Sequence, residues 1–298
     1  MLDSQPLLDP RALARISNLE IVARKVVEGT ISGLHRSPLY GFSTDFLQHR
    51  PYAAGDDLRY LDWKIFGRTD RHYVRQFEEE TNLRATIFVD ASGSMDFSSD
   101  GVSKLHYAVR VAAALAYLLA GQQDEVGLVV FDDRVREYIA PRAGRRQLQR
   151  LLSELGQIQA GGDTSVATVM RDGAPGLSRR GFLIFVTDAF AEPEDVVNAL
   201  GRLHSTHNEV ILMQVLDRAE VDFRFPNWTR FESLESDEEA ILVDPAQLRA
   251  TYLERFRTFC AAIDDGCRRH GIDVVRMVTD QPYDEALAGY LSIRRRKS

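Results

Sequence analysis

Three short polar strings in this chain carry side chains that could do chemistry together. Asp90-Ala-Ser92-Gly-Ser94 directly follows the apolar run Ala85–Val89, Gly161-Gly162-Asp163-Thr164-Ser165 precedes a helical stretch, and Thr187-Asp188 follows the apolar run Phe182–Val186. As a set, Asp90, Ser92, Ser94, Thr164 and Asp188 offer two carboxylates and three hydroxyls, all hard oxygen donors. Such donors suit Mg²⁺, Mn²⁺ or Ca²⁺, whereas zinc prefers nitrogen and sulfur. Mg²⁺ is octahedral and keeps waters, so a shell poor in carboxylates leaves a position for an incoming one. A lone D-x-S-x-S string is more often a turn whose side chains bond their own backbone. The Gly-Gly-x-Thr loop and the strand-end aspartate, following in order, favour the metal reading. Asp163 and Ser165 flank Thr164, and either could share its role.

These residues lie far apart in the chain, so the fold must bring them together. The runs ATIFV (85–89), VGLVVF (126–131), FLIFV (182–186) and VILMQV (210–215) are apolar and β-rich, as expected of strands buried on both faces. Between and after them come helical stretches at 104–120, 146–155 and 194–203, with an edge strand at 135–139 beside the second run. A long helix from about Pro245 to His270, a strand at 274–279 and a helix at 284–293 close the pattern. Alternation of this kind predicts an α/β fold, with a mainly parallel central sheet and helices on both faces. All carboxyl ends of a parallel sheet share one edge, where ligand sites form. Asp90, Ser92, Ser94 and Asp188 are expected there, with Asp90 facing solvent and Thr164 reaching in from a loop.

Residues 1–80 read as an appended N-terminal portion, with a helix at 11–27 and a loop-rich, charged stretch after it. Residues 81–298 read as the α/β domain, interrupted by a β-rich excursion at about 217–245. Within 51–80 there are twelve charged side chains and six aromatics without helical or strand period. The plain reading is a salt-bridged cover; the sharper one is a partner-docking surface. With five basic against seven acidic residues, that window does not suit nucleic acid.

Composition agrees with a soluble globular chain: 298 residues, 44% hydrophobic, 27% charged and a net charge of −7. The N-terminal residues lack the basic start and apolar stretch of a secretory signal. The longest strongly apolar run, Val111–Ala120, falls well short of the roughly 20 residues a membrane span needs. Cys260 and Cys267 stand about two helical turns apart, roughly 10 Å, too far for a disulfide. A cytoplasmic location with reduced thiols and no transmembrane segment is the expectation.

Hydrolytic chemistry at the same edge is the competing class. A phosphatase with an aspartate nucleophile after its first strand needs a second acid two residues on, and that position is Ser92. A two-metal hydrolase needs more carboxylate and histidine ligands. No phosphate loop with lysine and no G-x-S-x-G elbow is present. A binding module is therefore expected, not an enzyme, with a metal-dependent hydrolase or phosphatase as the alternative and a purely structural scaffold as a third class.

Asp90-x-Ser92-x-Ser94, Thr164 and Asp188 resemble the metal-ion-dependent adhesion site of von Willebrand factor type A domains. The resemblance implies a Rossmann-like domain of that type. It also implies that the serines and threonine touch the metal, that the aspartates act directly or through water, and that a ligand carboxylate completes the shell. A second signature comprises Arg50-Pro51-Tyr52, Gly55-Asp56-Asp57-Leu58-Arg59, Leu61-Asp62-Trp63-Lys64, Arg68-Thr69-Asp70-Arg71 and Val74 to Glu80. With the stretches Leu216 to Phe225 and Asp244-Pro245, it is similar to the bacterial domain-of-unknown-function 58 family, over nearly the whole chain. That resemblance implies a protein-interaction role as adaptor or co-chaperone for a MoxR-type AAA+ ATPase or its client. Asp56, Asp57, Arg59, Asp62, Trp63, Lys64, Arg68 and Arg71 are then the candidate docking residues.

Overall fold

The computed structural model describes residues 46–53, 56, 61–77, 83–162, 169, 181–223, 225, 229–231, 241–243 and 245–297. The helix expected at 11–27, Thr164 with its neighbours Asp163 and Ser165, and the docking candidates Asp57 and Arg59 lie outside these residues. Two compact units are present: a smaller one within Ser32–Asn82 and a larger one that takes in Leu83–Ser298.

The smaller unit pairs β1 (Phe46–Pro51) with β2 (Tyr73–Phe77) antiparallel, and carries the short helix α1 (Trp63–Thr69) between them. The irregular segment expected at 51–80 is thus partly regular. Its strand and helix are too short to show a period, and local polar bonds define them: the Asp62 carboxylate accepts from the Lys64 and Ile65 amides and caps α1. Leu61 and Val74, joined by a β-bridge, are its buried apolar pair.

The larger unit is built on β3 (Arg84–Asp90), β4 (Glu125–Phe131), β5 (Val135–Arg142), β6 (Phe182–Thr187), β7 (Glu209–Leu216) and β10 (Asp273–Val278). They form one sheet in the order β10-β7-β6-β3-β4-β5, parallel throughout except for the antiparallel edge strand β5. The order reverses between β3 and β6, and the ligand crevice of a parallel α/β sheet belongs at the carboxyl ends of such a pair. The central strands are apolar without alternation because both faces are covered. On β3, Ala85, Ile87 and Val89 enter one cluster with α2 (Lys104–Gly121), α3 (Arg145–Leu155) and α7 (Tyr283–Lys297). Phe88, stacked on Phe185 at 4.3 Å, enters the other, with α4 (Pro193–Ser205) and α6 (Pro245–Arg269). Each fully buried Ile or Leu of these strands contributes about 1.5–3 kcal/mol.

Helix starts follow their sequence signals. The Ser103 hydroxyl accepts the His106 amide at the head of α2. Pro193 opens α4, with Glu194 and Asp195 in its first turn. Helices α4 and α6 cross so closely that a Cβ on Gly266 would lie 2.5 Å from Val197. The 217–245 excursion, expected to be β-rich, begins instead with a helical turn. Asp217 and Glu220 form a capping box there, which winds the short helix α5 (Arg218–Asp222) before β8 (Thr229–Phe231) pairs with β9 (Ile241–Val243).

Candidate functional site

Asp90 ends β3 and Thr187 ends β6, the two strands that flank the crevice, and Asp188 is the next residue. The Thr187 hydroxyl donates to Asp90 Oδ2 at 2.5 Å and accepts the Ala189 amide at 2.9 Å. Asp90 Oδ1 accepts the Ser92 amide at 2.9 Å, which turns the chain so that the Ser92 and Ser94 hydroxyls stand 3.2 Å apart. Asp188 Oδ1 accepts the Phe190 amide at 3.1 Å, and Ala189 between them holds φ at +57°. A non-glycine residue in that region is uncommon and persists where surrounding bonds impose it. Here the bonds are the two side-chain to backbone contacts of Thr187 and Asp188.

Asp90, Ser92 and Asp188 are 0% exposed, contrary to the solvent-facing position expected of Asp90. The loops after the strands fold back over the edge. Gly93 donates its amide to the Gly162 carbonyl at 2.8 Å, and Gly161 donates to the Ala91 carbonyl at 2.9 Å. The strand ends are therefore roofed, and Ser94 is only half buried. These two backbone bonds also tie the loop that leads to Thr164 onto the Asp90–Ser94 turn. Arg136 secures that loop from the other side, donating to the Gln159 carbonyl at 2.8 Å and to the Gly161 carbonyl. Asp132, the residue after β4, holds the same arginine at 2.5 Å. Gly162, at φ +81°, passes so close that a Cβ would lie 2.8 Å from the Asp132 carboxylate.

A buried cation stands beside these acids. Lys104, the first residue of α2, is 0% exposed, and its ammonium donates to Asp188 Oδ2 at 2.7 Å and to Glu220 Oε1 at 2.6 Å. It also lies 4.7 Å from the Phe190 ring centroid and 5.9 Å from that of Phe97. A lysine at a helix N-terminus opposes the macrodipole, so α2 does not itself favour it; the two carboxylates do. Burial alone would lower the Lys104 pKa, but Asp188 and Glu220 outweigh burial and hold it above its usual value. Glu220 Oε2 in turn accepts the Asp217 amide at 2.8 Å, and Asp217 accepts from the Ser99 amide and hydroxyl. Lys104, Glu220, Asp217, Ser99, Asp132 and Arg136 were not among the expected site residues. Lys104 could have been noticed as a lysine following an N-cap serine where an acid is usual. Glu220 could have been found as the third residue after the Asp217 cap.

The electrostatic balance is uneven. Burial, and then the neighbouring Asp188, push Asp90 up to about 7. Asp188 and Glu220 face the one ammonium, Asp90 has Asp188 as its charged neighbour, and the remaining donors are hydroxyls. Among the described residues no three His, Cys, Asp or Glu side chains share a metal-sized centre. Any cation here would rest on serine oxygens as well as carboxylates, and the donor set fits a hard divalent ion.

The docking candidates of the smaller unit divide. Asp56 accepts Arg50 at 2.7 Å and the Ala53 amide at 2.8 Å, and Asp62 caps α1 and meets His49 Nε2 at 3.0 Å, so both shape their own unit. Lys64, Arg68 and Arg71 are exposed, and Trp63 is 64% exposed, its ring edge-on to Phe66 at 6.1 Å.

A family profile described as "Protein of unknown function DUF58" matches residues 48–259. The uncharacterized protein Rv1480 of Mycobacterium tuberculosis is 27% identical over 295 residues, which is 97% of this chain and 91% of the relative. Uncharacterized protein Mb1516 of Mycobacterium bovis matches to the same extent. Among solved structures, the conserved hypothetical protein BatB of Bacteroides thetaiotaomicron aligns at a TM-score of 0.46 and 15% identity, covering 72% of this chain and 100% of its own. An aerotolerance-related membrane protein of Bacteroides fragilis gives 0.45 and 16% with the same coverages. The SpRpn10 VWA domain gives 0.39 and 10%, over 70% of this chain and 95% of its own.

Proposed function

We propose that this chain, which belongs to the DUF58 family, is a binding module that captures a protein partner through a divalent cation at the β3–β6 crevice. One observation carries the reading. Two buried aspartates from the strands flanking the switch point meet through Thr187, beside paired serine hydroxyls, with more negative charge than Lys104 offsets.

Asp90, Ser92, Ser94 and Asp188 would hold the ion, with Thr164 as the fifth donor; Mg²⁺ is the expected species and Mn²⁺ or Ca²⁺ the substitutes. When bound, the cation supplies a positively charged position that a partner's carboxylate can occupy. The chain's own residues do the rest. Thr187 and the Ser92 amide fix the Asp90 oxygens, and Gly161 and Gly162 bond backbone to backbone with Ala91 and Gly93. Phe97 and Phe190 line the Lys104 side of the crevice. Ser92 stands where an aspartate-nucleophile phosphatase needs its acid, so recognition suits this crevice better than hydrolysis. The family resemblance suggests a MoxR-type AAA+ ATPase or its client as the partner, and the free thiols of Cys260 and Cys267 suit the cytoplasm as the place. Among the described residues no helix is long and apolar enough to cross a membrane.

The test is capture of a purified MoxR-type AAA+ ATPase by wild type and by Ser92→Ala/Ser94→Ala, each in Mg²⁺ and in chelator. We expect binding by wild type in Mg²⁺ alone. Equal binding in all four arms contradicts the proposal.

A further inference from the structure

We infer that Lys104 is a built-in counter-cation that competes with the divalent ion for Asp188 and so sets how tightly the crevice holds metal. The inference rests on the metal reading above and adds a residue and a direction to it.

Geometry carries it. The ammonium sits on Asp188 Oδ2 at 2.7 Å, while the other oxygen of that carboxylate accepts the Phe190 amide. Asp188 therefore meets a divalent ion with one oxygen on an ammonium and the other on an amide. Lys104 is 0% exposed, and the Phe97 and Phe190 rings lie near its ammonium. Its charge is thus felt at short range in a poorly screened setting. Glu220 holds the ammonium from the far side at 2.6 Å and draws part of that charge away from Asp188. The Asp217 amide orients Glu220 through its second oxygen. Lys104 and Glu220 act as a pair of opposite sign on one ligand, and neither is itself among the donors expected to hold the metal.

Removing each partner should then move metal affinity in opposite directions. In Lys104→Met the apolar stem is kept and the charge lost, leaving three carboxylates without a resident cation. In Glu220→Gln the one amide oxygen can keep the bond from Lys104 at the expense of the Asp217 amide, and with no carboxylate there the full ammonium charge falls on Asp188. Both variants lose an ion pair, so a merely structural role would weaken metal binding in both.

The experiment is Mn²⁺ titration of wild type, Lys104→Met and Glu220→Gln by calorimetry, with the Mn²⁺ resonance spectrum as a second readout of the ligand field. Thermal melts in chelator establish that each variant is folded. We expect Lys104→Met to bind Mn²⁺ at least about tenfold more tightly than wild type, and Glu220→Gln to bind several-fold more weakly. The Mn²⁺ spectrum should change in Lys104→Met as Asp188 is released to the ion. Unchanged affinities, or losses in both variants, overturn the inference while wild-type binding leaves the metal reading standing. Binding by Lys104→Met with none by wild type supports the inference and overturns the metal reading, because the lysine then stands in for the ion. If Lys104→Met does not fold, Glu220→Gln alone decides: an affinity equal to or above wild type contradicts the competition.

Discussion

Asp90 is destabilising when ionised, because burial and Asp188 disfavour its charge and push it up to about 7. The sign for stability follows from proton counting. Between an unfolded carboxyl near pH 4 and a folded one near 7, the native metal-free protein binds more protons than the unfolded chain, so stability falls as pH rises through that window. Melting in chelator at pH 5, 6, 7 and 8 is expected to show this fall, and Asp90→Asn to flatten it and raise the pH 8 midpoint by a few degrees. A flat wild-type profile would contradict the assignment. Asp90→Ala is a poorer probe, since it leaves the Thr187 hydroxyl and the Ser92 amide without their acceptor, at a cost of about 1–3 kcal/mol. Asp90 and Asp188 were legible because a polar residue ending an apolar strand is conspicuous. Lys104 was not, because its partners lie 84 and 116 residues away and a lysine beginning a helix looks solvated.

At the scale of elements, the strands of the larger unit could be read because burial on both faces leaves unbroken apolar runs. The smaller unit could not, because its strands and helix are brief and polar bonds define them. Helix α5 was missed for a related reason: two carboxylates that reach neighbouring amides wind it, and no apolar stripe marks it. Close packing gives a sharper test of the helix layers. Gly266→Ala would place a Cβ 2.5 Å from the stiff, β-branched Val197, whereas Gly289 on α7 has nothing within 4 Å. Gly266→Ala is expected to lose about 1–3 kcal/mol despite the better helix propensity of alanine. Gly289→Ala is expected to gain up to about 1 kcal/mol. Denaturant melts of the two variants check this, and equal effects would show the α4–α6 crossing wrongly placed. In the same layer, burial pushes the Cys267 thiol up to about 11, so it is expected to resist alkylation at pH 8 until the protein unfolds. Labelling at the rate of a free thiol in native buffer would contradict that.

For the whole molecule, the proposed function depends on a sheet whose order reverses between β3 and β6, which brings Asp90 and Asp188 to the ends of adjacent strands. The net charge of −7 gives the chain no basic field to draw a polyanion, so the proposed recognition rests on local chemistry at the sheet edge. In the smaller unit Trp63 is exposed beside Lys64, Arg68 and Arg71, which are exposed as well. Everything proposed for the larger unit requires a divalent cation at the β3–β6 crevice. Its most direct test is a crystal soaked in Mn²⁺ and measured at the manganese edge. One anomalous peak is expected about 2.0–2.3 Å from oxygens of Ser92, Ser94 and at least one of Asp90 and Asp188. A crystal that shows no peak there, with Lys104 unmoved on Asp188, would contradict it.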